Sequence, residues 1–317
     1  MLYLMQRAAD IVSCIFHDQQ NDSFPQNYFK FVGMTARILH RDFLQQCRSV
    51  YTDGEAAAIT SIIFECVTGL YKSDIIMFPE RILPDTQQAK LKECLKDVLS
   101  FKPVQYITGE AWFHNLKLSV SPDVLIPRPE TEQLAELTID FIKDRTDQKV
   151  LDIGTGSGCI PVAIKYFVPQ CTVTAIDISG AALKIASKNA MNHRVDVEFI
   201  EWDFLDMDKW KSFGVFDAIV SNPPYIPFGE KETLHRNVQD HEPGMALFVD
   251  DEAPLLFYEK IALFAKTHLA KNGQLFTEVH EKFSKQVAAY MENNGFSSCI
   301  LKDIFGKDRI VTATHCQ

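Results

Sequence analysis

The motif LDIGTGSG at residues 151–158 restricts the fold of this chain more than any other segment. A short apolar run at residues 150–153 meets glycines at alternate positions and passes into a helical stretch at residues 160–167. That is the opening of a βαβ unit, in which a strand turns over a glycine loop into a crossover helix. Glycine has no Cβ, so a ligand can approach the backbone there, and the following helix N-terminus adds positive potential. A tight strand-to-helix turn without a ligand also accounts for such a loop. The texture then repeats. Apolar runs at residues 172–177, 195–200, 216–221 and 274–279 alternate with helical stretches, among them residues 255–269, ahead of a KNG turn at 271–273, and residues 283–291. The expected architecture is α/β, a doubly wound, mostly parallel sheet, closed by residues 299–304 and 309–314 as an antiparallel pair at its edge.

Before residue 103 the period is helical. Ala57, Ile59, Ile62, Ile63, Cys66 and Val67 form one apolar stripe, and Leu91, Leu95, Val98 and Leu99 another, with Pro79 and Pro84 between them. They predict a small all-α domain at residues 46–103. Alternating segments around His114 and Asn115 predict a β-hairpin inside a linker at residues 104–128, and the main domain follows at residues 129–317. Residues 1–45 form an N-terminal extension. Within residues 1–50, Arg7, Lys30, Arg37, Arg41 and Arg48 stand against Asp10, Asp18, Asp22 and Asp42, whereas the whole chain carries −10, and no glutamate precedes Glu55. The contrast fits an organelle-import peptide and an ordinary amphipathic helix about equally.

Three positions give the glycine loop a chemistry. Asp177 ends the second apolar run, where its carboxylate can accept hydrogen bonds from two ribose hydroxyls. Asp203 and Phe204 follow the third run, with an acceptor for an adenine amino group and a ring to pack on its face; a plain turn carboxylate is the other reading of Asp203. The motif SNPPYI at residues 221–226 ends the fourth run, where open α/β sheets place their ligands. Proline cannot donate, so the Pro223 carbonyl and the Asn222 side-chain oxygen can both face one NH₂ group, while Pro224 stiffens the loop and Tyr225 stacks on the planar group. A planar amide or aromatic amine suits that arrangement.

Asp152, Gly154, Thr155, Gly156, Ser157 and Gly158, followed by Asp177, Asp203, Phe204 and the NPPY loop, resemble the S-adenosylmethionine-dependent methyltransferases that act on amide or exocyclic amino nitrogens. Four further segments narrow the likeness: PVQYITG at 103–109, VLIPRPETE at 124–132, Glu242-Pro243 with Ala246-Leu247, and DIFGKDR at 303–309. With them the chain resembles the HemK/PrmC family, protein-(glutamine-N5) methyltransferases of peptide-chain release factors, from roughly Asp53 to Thr314. The resemblance implies S-adenosyl-L-methionine as cofactor, held by Asp152, Gly154, Thr155, Gly156, Ser157, Gly158, Asp177, Asp203, Phe204 and Asn222. It implies Asn222, Pro223, Pro224 and Tyr225 as the catalytic loop, with Arg128 and Glu130 beside the substrate. The partner would be a release factor, its Gly-Gly-Gln glutamine the acceptor, and the helical domain would recognise it. A ribosomal protein is the alternative protein substrate. The chain departs from the pattern at EVH (278–280), where a glycine is usual after the acidic residue, and at DDEAP (250–254), where a glycine-rich turn is usual. Its extension of ~30 residues beyond bacterial members favours a mitochondrial address over a cytoplasmic one.

Composition weighs on the rivals. An adenine-N6 methyltransferase of nucleic acid would use Asn-Pro-Pro-Tyr equally well, but 32 Lys and Arg against 42 Asp and Glu is the wrong sign for a protein held by phosphates, so no direct nucleic-acid binding is expected. A nicotinamide oxidoreductase wants glycine where Cys159 stands, and a non-catalytic binding module would not need Asn222 and Tyr225. No apolar run approaches the ~18 residues of a membrane-spanning helix. Eight cysteines without a CxxC pair signal no metal site and suit a reducing compartment; a monomer is expected.

Overall fold

The computed structural model describes residues 34–316; residues 1–33 of the expected N-terminal extension lie outside them. Four helices, Ala36–Cys47, Asp53–Thr68, Lys72–Met77 and Asp85–Leu99, form an N-terminal layer. Thr52 and Glu55 start the second helix as a reciprocal capping box, and Gly69 ends it in the left-handed region at φ 70°. Its buried face differs from the stripe read in the sequence: Ala56, Thr60, Ile63 and Phe64 point inward, while Cys66 and Ile62 are exposed. Apolar residues lie on both sides of this helix, so periodicity alone does not choose the phase. Thr60 can be buried because its hydroxyl donates to the Ala56 carbonyl at 2.7 Å. The boundary expected at residues 45/46 cuts through the helix Ala36–Cys47. Leu39, Phe43 and Cys47 of that helix share one core with Ile63, Phe64, Leu91 and Val98, so the helical layer begins earlier.

A short helix, Val104–Thr108, leads into the hairpin of β1 (Glu110–Phe113) and β2 (Leu116–Ser119). Its two-residue turn places His114 and Asn115 at positive φ, which matches the twist of the flanking strands. The hairpin packs away from the helical layer: Phe113, Leu116 and Leu118 share a core with Leu134, Val150 and Ile164.

The main sheet has seven strands: β3 (Lys149–Ile153), β4 (Thr172–Asp177), β5 (Glu198–Glu201), β6 (Phe216–Ser221), β9 (Leu269–Glu278), β10 (Phe296–Lys302) and β11 (Asp308–His315). Two short strands, β7 (Ile226–Pro227) and β8 (Phe248–Val249), pair separately. The order is β10-β11-β9-β6-β3-β4-β5, and β11 alone runs against the rest. The expected antiparallel edge pair is β10 and β11. The KNG turn is not there: residues 271–273 belong to β9, and the extra residues are taken up where the pairing shifts from Phe216 opposite Leu269 to Ala218 opposite Gln274. From β3 the chain moves to one side, to β4 and β5, and later returns on the other side through β6. The carboxyl ends of β3 and β6 therefore flank a crevice at the point of reversal.

Candidate active site

That crevice opens into a cavity of about 580 Å³, within the usual range for a ligand site. Gly154, Thr155, Gly156 and Ser157 form one wall after β3, Asp177 closes β4, Trp202, Asp203 and Phe204 follow β5, and Asn222, Pro223 and Pro224 follow β6. Arg128, Thr131, Pro243, Met245 and Ala246 complete the rim. The topology thus brings together most of the residues singled out in the sequence. Asp152, Gly158, Glu130 and Tyr225 do not line the cavity.

The loop is built for close approach. Gly154 and Gly156 have φ of 76° and 55°, and a Cβ at either would meet nothing within 4 Å, so the space beside the backbone is open. Gly158 serves packing instead. A Cβ there would lie 2.8 Å from that of Ala186, so its absence lets the helices Cys159–Phe167 and Gly180–His193 touch. Asn189 locks this corner to the hairpin by donating to the Ser157 and Ser119 carbonyls at 2.9 and 3.0 Å and accepting from the Ser119 amide at 2.7 Å.

Asp177 braces the loop it faces. Its carboxylate accepts from the Gly156 amide at 2.8 Å and the Ser179 amide at 2.9 Å. Burial pushes its pKa up and those two amides pull it back. One polar group on the cavity wall, the Trp202 indole N–H, is buried and makes no hydrogen bond in the protein. An orphaned buried donor beside open glycine backbone fits a polar, nucleoside-sized ligand such as S-adenosylmethionine. Trp202, stacked on Phe213 with centroids 4.5 Å apart, carried no signal in the sequence beyond its place before Asp203. Asp203 is exposed and accepts from the Leu205 amide, a turn contact that leaves its other oxygen free. Phe204 reaches the cavity from within the core, where it packs on Trp210 and Phe264.

Glu278, the last residue of β9, is 1% exposed and organises the Asn-Pro-Pro-Tyr loop. Thr131 donates to Glu278 Oε2 at 2.7 Å, Tyr225 donates to Glu278 Oε1 at 3.1 Å, and Asn222 Nδ2 donates to Thr131 Oγ1 at 3.0 Å. Ser221 ties the loop to β3 by donating to the Ile153 carbonyl. Burial pushes the Glu278 carboxyl up, and the hydroxyls of Thr131 and Tyr225 with the Arg309 charge draw it back down. Burial and the neighbouring carboxylate raise the Tyr225 phenol far above its ordinary value, which keeps it a donor. Arg309 bonds Asp303 and the Val279 carbonyl, so the DIFGKDR segment buttresses the strand end that carries Glu278. The departure from the family pattern at residue 279 leaves this arrangement intact. Arg128 pairs with the buried Glu242 at 2.5 Å, which holds the 124–132 segment over the cavity rim.

Residues 40–109 match the PrmC N-terminal domain, and residues 130–240 match the methyltransferase small domain. A release factor glutamine methyltransferase of Flavobacterium psychrophilum is 40% identical over 282 residues, covering 88% of this chain and 98% of that one. Those of Bacteroides thetaiotaomicron and Lactococcus lactis are 38% and 36% identical, covering 86% and 85% of this chain and 97% and 98% of theirs. Identity at this level over nearly the full length of these bacterial proteins, together with the two matching domains, places the chain in the HemK/PrmC family of release factor glutamine methyltransferases.

Proposed function

We propose that this chain methylates the side-chain amide nitrogen of a glutamine in a peptide-chain release factor, the glutamine of its Gly-Gly-Gln motif, with S-adenosyl-L-methionine as methyl donor. The observation that carries the reading is that Asn222 and Pro223 share one cavity wall system with the glycine loop and Asp177. The cofactor supplies a methyl group activated by a sulfonium sulfur. Asp177 and the amides of the loop hold the nucleoside part, with Asp203 and Trp202 offering an acceptor and a donor to its base.

The protein's work is positioning. An amide nitrogen gains positive charge as it takes up a carbon substituent, so acceptors on its N–H groups bind it more tightly in the transition state than before. The Asn222 oxygen and the Pro223 carbonyl are those acceptors. Alignment of this kind is worth ~7–11 kcal/mol in favourable cases. The proton leaves once the nitrogen has been alkylated.

The helical layer, Arg128 and Glu130 grip the protein substrate in this reading, and the enzyme acts as a monomer without nucleic acid, in keeping with net charge −10. Residues 1 to about 40 carry the mitochondrial address, a proposal resting on their composition; a reporter fused to those residues that stays cytosolic would defeat it. No helix among the described residues is long and apolar enough to cross a membrane. The deciding experiment incubates the protein with purified release factors, ribosomal proteins and labelled cofactor, followed by peptide mapping. Label on the Gly-Gly-Gln glutamine supports the reading, and label only on a ribosomal protein replaces it.

A further inference from the structure

We infer that Glu278, acting through Thr131, decides which end of the Asn222 amide faces the cavity, and is thereby a positioning residue for the amide acceptor; the inference rests on the methyl-transfer reading above. An ionised carboxylate only accepts hydrogen bonds. Tyr225 and Thr131 each have one hydroxyl hydrogen, and both point at Glu278, at 3.1 and 2.7 Å. With its hydrogen committed, the Thr131 oxygen can take a second partner only as acceptor. Asn222 fills that place with Nδ2 at 3.0 Å. A carboxamide carries NH₂ on one side and oxygen on the other, so the oxygen is left to face the cavity. Each bond in the row therefore runs one way, set at its buried end by the carboxylate.

Reversal would present an NH₂ group to a substrate NH₂ group, two donors with no acceptor between them. The chain is closed to solvent where it starts, since Thr131 is 3% and Glu278 1% exposed. Three distant parts of the sequence meet here: Thr131 on the first turn of the helix Pro129–Ile142, Asn222 after β6, and Glu278 at the end of β9. Thr131 thus has a task beyond starting a helix.

The test uses the full chain with a release factor and S-adenosylmethionine, comparing Glu278→Gln, Thr131→Val and Thr131→Ser. Glutamine brings an NH₂ that can face Thr131 and reverse the row; valine deletes the link; serine keeps it. We expect kcat to fall about a hundredfold in the first two, as for a reacting group misplaced by about 1 Å. Calorimetric affinity for the demethylated cofactor should be unchanged, and Thr131→Ser should restore most of kcat. Wild-type kcat in folded Glu278→Gln or Thr131→Val overturns the inference, as does a Thr131→Ser variant no better than valine. If Glu278→Gln does not fold, the two Thr131 variants decide. If the wild type methylates no release factor, the functional reading fails. The orientation is then read from the Asn222 side-chain amide signals by nuclear magnetic resonance, which Thr131→Val must shift if the inference holds and leave unmoved if it does not.

Discussion

Asn222 is the one acceptor in its loop that substitution can delete, because the Pro223 carbonyl belongs to the backbone. Asn222→Ala should lower turnover about 10²–10³-fold, by analogy with the loss of one preorganised oxyanion-hole donor with the charge sign reversed. Cofactor affinity should fall far less, and single-turnover kinetics beside calorimetry separate the two. Asn222→Asp should stay impaired, since a carboxylate cannot donate to the Thr131 oxygen. Tyr225→Phe should cost about 1.5–3 kcal/mol of stability, the range for one hydrogen bond to a charged group, and no more, because Glu278 keeps its bond to Thr131. Asp152 makes a different prediction. It is fully buried, and burial pushes its pKa from 3.8 up to about 7 against the pull of the Thr155 hydroxyl. Between those values the folded chain holds a proton that the unfolded chain has lost, so stability contributed by the protonated form is full below about pH 4 and declines until about pH 7. Asp152→Asn should flatten that part of the melting-temperature curve of the unliganded protein and raise it near neutral pH. A parallel curve for the variant would show that Asp152 is ionised throughout.

Most of the strands and their order-determining glycine loop were legible in the sequence because each repeats a local rule: an apolar run, a turn residue, a helical period. Of the stripe expected on the helix Asp53–Thr68, Ile63, Ile59 and Val67 face the core while Ile62 and Cys66 do not, because Ile62 and Ile63 sit side by side and only packing selects between them. The KNG segment looks like a turn by composition, yet pairing with β6 draws it into β9. Glu278 and Trp202 were missed for another reason. A glutamate at a strand end and a tryptophan before an aspartate are unremarkable until the sheet order brings them to the reversal point. Tyr225 was found, but its partner was not: its hydroxyl turns to Glu278 and its ring lies off the cavity wall. The glycine loop itself carries a packing prediction. In Gly158→Ala the new methyl would meet the Ala186 Cβ at 2.8 Å and occupy φ 76°, so the two helices must separate. Overpacking of this kind costs about 1–3 kcal/mol, and the shift reaches Ser157 and the hairpin through Asn189. Chemical denaturation should show that loss together with weaker cofactor binding. Unchanged stability would mean the helices have slack that the close contact does not suggest.

The helical layer has a core of its own, separate from the two that sandwich the sheet; Val104 and Ile107 of the linking helix pack against it, and a further seam meets the sheet domain. That seam is polar and aromatic: Arg236 lies over the Phe101 ring at 4.3 Å, the Ser100 carbonyl is 3.0 Å from His241 Nε2, and Asn237 meets the Tyr51 hydroxyl. All three contacts fall on the segment between β7 and β8, whose Pro243, Met245 and Ala246 form part of the cavity rim. The layer is therefore braced against the mouth of the site, and contributes nothing to the glycine loop or to Asp177. Two functions separate along that line. Deleting residues 1–100 should leave S-adenosylmethionine binding close to normal while abolishing methylation of an intact release factor, because what is lost is the surface beside the mouth and the brace on its rim. A short peptide containing the acceptor glutamine tests the division further: if the layer serves only docking, the truncated and full chains should methylate it at similar, low rates. Full activity of the truncated chain on intact release factor would remove the layer from recognition, and loss of cofactor binding would show that the seam supports the sheet domain itself.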